Sequence, residues 1–142
     1  MTASPRLPPM PPLIYAASLL YTGDGAPVRD GWIRVEEGRI KAVGNAADLP
    51  KDVPPAAIRR EGGAVLMPGL VNLHCHLELT GLHGKLGAGQ RFPEWVGQLR
   101  AASSPFTTED YRAAAREGVR RLVAGGCTTV LDVGNTGEAL GV

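Results

Sequence analysis

Met67-Pro68-Gly69-Leu70-Val71-Asn72-Leu73-His74-Cys75-His76 marks a change of character in this chain. Pro68-Gly69 interrupts the pattern before it. Leu70–His76 is then a short, mostly apolar run, which fits a strand covered on both faces, as in a parallel sheet. Along a strand, side chains i and i+2 share a face. His74 and His76 therefore project together, and Cys75 points the other way. The strand rise sets their Cβ atoms roughly 6–7 Å apart. Two imidazoles at that spacing can meet one divalent cation at about 2.0–2.1 Å, provided other groups complete the shell.

Downstream, residues 77–106 are rich in glycine and read as irregular, with a short helix over Pro93–Ala101. Thr107-Thr108-Glu109-Asp110 has the chemistry of a helix start, with Thr as N-cap and acids in the first turn. Tyr111, Ala114, Ala115, Gly118, Leu122 and Val123 recur at helical spacing, and Gly125-Gly126 ends the run. Thr128–Val133, rich in β-branched residues, is the next strand. Strand, long loop, helix and strand make one βαβ unit, which implies a parallel sheet.

Upstream, residues 1–12 (MTASPRLPPMPP) read as a disordered, Pro-rich tail. Leu13–Leu20 reads as a strand, and Thr22–Gly25 as a turn. Trp32–Glu36 and Arg39–Val43 alternate apolar with charged residues around Glu37-Gly38, which predicts a hairpin. Asp48–Pro55 reads as a loop, and Ile58–Glu61 and Ala64–Met67 as two short strands flanking Gly62-Gly63. Residues 13–67 thus form a β-rich unit, and 68–142 a separate α/β one.

Charge is nearly balanced, with 15 Lys+Arg against 14 Asp+Glu, so nothing points to nucleic acid or an acidic membrane as partner. The two cysteines, Cys75 and Cys127, supply no disulfide framework, and a reducing cytoplasm is the simpler setting. No stretch reaches the roughly 18 apolar residues of a membrane helix.

Two histidines hydrogen-bonded in a core would be the plain reading of His-x-His. Position argues for a site instead. The pair ends an apolar strand at the head of a βαβ unit, and barrels built from such units carry their chemistry at strand C-terminal ends. Polar rings there need a reason. Asn72 shares the His74 face by the i+2 rule, which places it for a supporting hydrogen bond beside the ligands. Glu78, just past the strand end, is placed to contact substrate, to orient the site, or merely to sit at a helix cap or surface. His83, in the loop, is placed to bind substrate or to be a polar loop residue. Cys75 reads as a small packing residue, and Asp132 as a residue that orients a ligand or contacts a loop.

Pro68-Gly69-Leu70-Val71-Asn72-Leu73-His74-Cys75-His76 resembles the first barrel strand of the amidohydrolase superfamily. The likeness extends back through Asp30–Ile33 and Gly38–Gly44, and forward through Ala124–Asp132. It implies the start of a (β/α)8 TIM barrel, its first βαβ unit, preceded by part of a small β-sandwich domain. It also implies a divalent metal, most commonly one zinc with iron as the alternative, held by His74, His76 and later residues. Water activated on that metal attacks an electrophilic ring or amide carbon, and further His and Glu residues pass protons to the leaving amine. Asn72, where binuclear members commonly carry Asp, resembles the mononuclear chlorohydrolase and deaminase branch. Leu77–Leu82 resembles the aminodeoxyfutalosine deaminases within it. The implied partner is a small-molecule substrate, and a homo-oligomeric full-length enzyme is compatible with the resemblance.

A full barrel takes about 250 residues, and Gly69–Val142 holds about one and a half βα units. His83 is the remaining histidine, so the main acid–base residues are expected beyond the chain end, and this polypeptide alone is expected to be marginally folded and inactive. Two other readings stay open: a non-catalytic metal- or partner-binding module, and a binuclear amidohydrolase of the imidazolonepropionase or dihydroorotase kind.

Overall fold

The computed structural model describes residues 13–141; the Pro-rich tail expected over 1–12 lies outside them. The described chain forms two compact units that divide between Pro68 and Gly69. It is mixed α/β.

The first unit is a four-stranded sheet of β1 (Leu13–Leu20), β2 (Val28–Glu36), β3 (Arg39–Gly44) and β4 (Ile58–Leu66), ordered β3-β2-β1-β4. β1–β2 and β2–β3 are antiparallel, and β4 adds in parallel beside β1. The β2–β3 hairpin turns on Glu37 and Gly38, both at positive φ (51° and 71°), the geometry whose twist matches the flanking strands. One expectation is corrected. Gly62-Gly63 does not separate two strands; β4 runs through it as a bulge. Its pairing slips between Ala17 and Leu19 of β1, Gly63 takes φ 75°, and its amide donates to Ser18 Oγ at 2.8 Å. A glycine pair absorbs such a bulge without ending the strand.

Ile14 (0% exposed), Trp32 (4%) and Val53 form the centre of this unit, with Leu49, Ala57 and Ile58 packed around them. Trp32 buries its ring while Nε1 donates to Asn45 O at 2.7 Å, so burial leaves no orphan donor.

The second unit holds β5 (Leu70–Cys75) and β6 (Cys127–Asp132), paired in parallel. Between them come a 3-10 helix (Leu77–Leu82), α1 (Phe92–Ser103) and α2 (Thr108–Ala124). The 3-10 helix lies in a segment expected to be irregular. α2 starts in a capping box: Thr107 Oγ1 accepts from Asp110 N at 3.2 Å, and Asp110 Oδ2 accepts from Thr107 N at 2.8 Å. Its small residues Ala114, Ala115 and Gly118 are buried. At Gly118 a Cβ would stand 2.7 Å from Thr80 Oγ1 and 3.0 Å from Leu77 Cδ2, so the helix docks closely on the 3-10 segment.

The expectation of a β5 covered on both faces is not met within the described chain. Leu70, Val71 and Leu73 are 52%, 57% and 71% exposed, and Leu131 on β6 is 59% exposed. α2 packs mainly on the 3-10 helix and leaves these strands largely bare. Among the described residues no helix is long and apolar enough to cross a membrane.

Candidate metal centre

The two histidines converge. Their ring centroids are 5.2 Å apart with planes at 74°. The local backbone is less regular than strict alternation requires. Pairing with β6 runs from Asn72↔Val130 to Cys75↔Asp132, so β5 spends one more residue than its neighbour over this step. That is a bulge, a device that re-aims side chains. Asn72 serves it, with Oδ1 accepting from His74 N at 3.1 Å. Asn72 thus supports the histidine through its backbone amide.

His76 follows the last residue of β5 and caps the 3-10 helix, with φ −129° and ψ 83°. Its Nδ1 is buried and has no hydrogen-bond partner among the described residues. His74 is exposed. This donor set suits a divalent cation. A zinc–nitrogen bond of about 2.0–2.1 Å plus roughly 1.1 Å to the ring centre sets each centroid about 3.2 Å from a shared ion, and tetrahedral geometry then separates the centroids by about 5.2 Å. The observed spacing agrees. Two ligands do not complete a catalytic shell. Among the described residues, no group of three or more His, Cys, Asp or Glu gathers to hold an ion.

The other anticipated residues fall as follows. His83 lies at the C-terminal end of the 3-10 helix with an exposed side chain, its amide donating to Thr80 O at 3.1 Å. Glu78 is 2% exposed. Its Oε1 accepts from Asn135 N at 2.9 Å, and its Oε2 from Thr136 N at 3.2 Å and from the Thr136 hydroxyl. Burial pushes the Glu78 carboxyl up, but these donors, with the nearby His76, outweigh it and hold the group below the usual carboxylate range. Asp132 contacts the turn: Oδ1 accepts from Leu77 N at 2.8 Å and lies 3.6 Å from Cys75 Sγ. Burial, with the Asp132 charge second, raises the Cys75 thiol pKa. Cys75 therefore points toward Asp132 as a weak donor as well as a packing group. Sequence reasoning passed over Gly134-Asn135-Thr136. Its turn-forming residues were a signal of a loop, but nothing local marked Glu78 as its partner.

A sequence profile described as the Amidohydrolase family matches residues 65–141. The chain is 34% identical over 120 residues to a 5-methylthioadenosine/S-adenosylhomocysteine deaminase of Symbiobacterium thermophilum, covering 81% of this chain and 26% of that protein. It is 41% identical over 87 residues to an imidazolonepropionase of Ralstonia nicotianae, covering 61% and 19%. The solved structure of a zinc-bound adenosine deaminase from Xanthomonas campestris shares the fold, with TM-score 0.65, 21% identity and coverage of 84% and 28%. The chain thus spans about a quarter of the length of the first of these relatives. The profile covers more than half of the chain, including the histidine pair and both parallel strands, and the chain belongs to the amidohydrolase family.

Proposed function

We propose that this chain contributes the first metal-binding strand of a hydrolase that acts on C–N bonds, with deamination of an aminated heterocycle or nucleoside-like compound as its reaction. The observation that carries this reading is the convergence of His74 and His76 at the spacing of two imidazoles on one ion, with His76 Nδ1 buried and unbonded. β5, α2 and β6 form the first βαβ unit of a (β/α)8 barrel, and the preceding sheet forms part of a β-sandwich. The resemblance to a methylthioadenosine/adenosylhomocysteine deaminase and to a zinc-bound adenosine deaminase fold supports deaminase chemistry and zinc, with iron as the alternative.

In this role His74 and His76 each give one ring nitrogen to the cation. A metal held there supplies Lewis acidity and brings the pKa of a bound water toward about 7. Asn72 keeps the bulge that sets the His74 direction. Exposed His83 stands on the segment after the site, available to a small-molecule substrate. The Leu77–Leu82 phrase, with Trp95 after it, favours an aminodeoxyfutalosine-like substrate. The free state of Cys75 and Cys127 supports a cytoplasmic setting.

The imidazolonepropionase-like alternative has a specific support in the 41% identity to such an enzyme, over a shorter span. Both readings are hydrolytic, and both place a metal on the same histidine pair.

Metal analysis of the intact protein tests the proposal. One equivalent of zinc or iron is expected, falling below about a tenth of that in a His74→Ala/His76→Ala variant, with turnover of adenosine-type substrates lost alongside. Two equivalents, with imidazolonepropionate turned over, would favour the second reading. Full metal content in the double variant would overturn both.

A further inference from the structure

We infer that Glu78 and Asp132 are reciprocal positioning residues that lace the turn carrying His76 to the end of β6, and that Glu78 is therefore not a substrate contact. This rests on the proposed metal role of His76.

The bonds run in both directions across the two strand ends. From β6, Asp132 Oδ1 accepts the amide of Leu77, the residue just after His76. From the β5 side, Glu78 reaches back and accepts from the amides of Asn135 and Thr136 and from the Thr136 hydroxyl. Between them, Val133 N donates to Cys75 O at 2.7 Å, which fixes the residue just before His76. His76 is thus pinned through its backbone on both sides. The side-chain bonds are charge-assisted and stronger than neutral ones.

Two further observations fit a lock and not a ligand site. Glu78 is almost fully buried, and three donors from a single loop occupy its two oxygens. Gly134 passes between the carboxylates, and a Cβ there would stand 2.8 Å from Asp132 Oδ2 and 3.3 Å from Glu78 Oε2. A side chain at 134 would push against both anchors. Holding a ligating histidine in register is worth roughly 10–100-fold in metal affinity where comparable supporting groups have been removed.

The test uses the intact protein and three readouts: zinc affinity by chelator competition, amide hydrogen exchange over 75–78 and 133–136, and separate kcat and KM. Glu78→Gln, which puts an amide NH2 against N–H and O–H donors, and Asp132→Ala should each weaken zinc roughly 10–100-fold and speed exchange in both segments. Asp132→Asn keeps an oxygen for Leu77 N and should stay within about threefold of wild type, which separates a hydrogen-bond role from a folding defect. A Glu78→Gln variant with raised KM but unchanged zinc affinity and exchange would overturn the inference and return Glu78 to the substrate. His76→Ala serves as the reference. If it keeps wild-type zinc affinity, the metal reading fails, and the exchange readout still decides whether the lacing exists.

Discussion

The two halves of the chain draw on similar residues and treat them differently. β1, β2 and β3 meander with short connections, and their sheet buries Ile14 and Trp32 almost completely. β5 is also mostly apolar, yet Leu70, Val71 and Leu73 stand more than half exposed. The difference lies in topology. In the first unit the β3–β4 connection packs Leu49, Val53 and Ala57 against Ile14 and Trp32, so a short excursion of the chain covers one face of the sheet. A parallel pair needs a long crossover, and both its faces must be covered by other elements. In the second unit the crossover supplies α2, which settles on the 3-10 helix, and the strands keep bare apolar surface and open edges of the kind that pair with other chains.

Trp32→Ala removes the largest side chain at the centre of the first unit. It should cost about 3–5 kcal/mol of first-unit stability, read as faster amide exchange in β1 and β2. Unchanged exchange in those strands would mean that Trp32 does not anchor the sheet. Next comes Gly118→Val, where the added side chain meets Thr80 and Leu77. A destabilisation of about 1–3 kcal/mol is expected, seen as loss of α2 protection while the first unit holds. Leu73→Ser should change the stability of this polypeptide by no more than about 0.5 kcal/mol, because an exposed side chain has little burial to lose; a larger cost in a urea melt would show that β5 is covered in solution. The smallest effect concerns acid. Hydrogen bonds from the Thr107 hydroxyl and then its amide lower the Asp110 pKa. A group depressed on folding contributes stability above its unfolded value, about 3.9, and loses that contribution as pH falls through the folded value. Protection in the first turn of α2 should therefore decline below about pH 4 and not between 5 and 8, and Asp110→Asn should flatten the dependence.

Elements with local signatures were readable in advance. β1 follows from its apolar run, the β2–β3 hairpin from alternation around Glu37-Gly38, and α2 from Thr107 through Gly125-Gly126. Failures came where a residue's role depends on a distant one. Gly62-Gly63 reads as a break until β1 lies beside it and Ser18 takes the Gly63 amide. Glu78 reads as a substrate contact, an orienting group or a cap or surface residue alike until Asn135 and Thr136, 57 and 58 positions away, supply its donors.

The amino-acid order alone determined that His74 and His76 stand one residue apart where an apolar strand gives out, since the apolar run and its polar end are written in the residues themselves. It also determined that the next strand runs parallel, because a helical crossover separates them. Only the three-dimensional arrangement decided that a bulge held by Asn72 shapes the approach of the two rings, and that buried Glu78 and Asp132 grip opposite strand ends. The bulge exists only once β6 lies beside β5, and the bonds of Glu78 and Asp132 need donors brought within about 3 Å of acceptors by the packing of segments more than fifty residues apart.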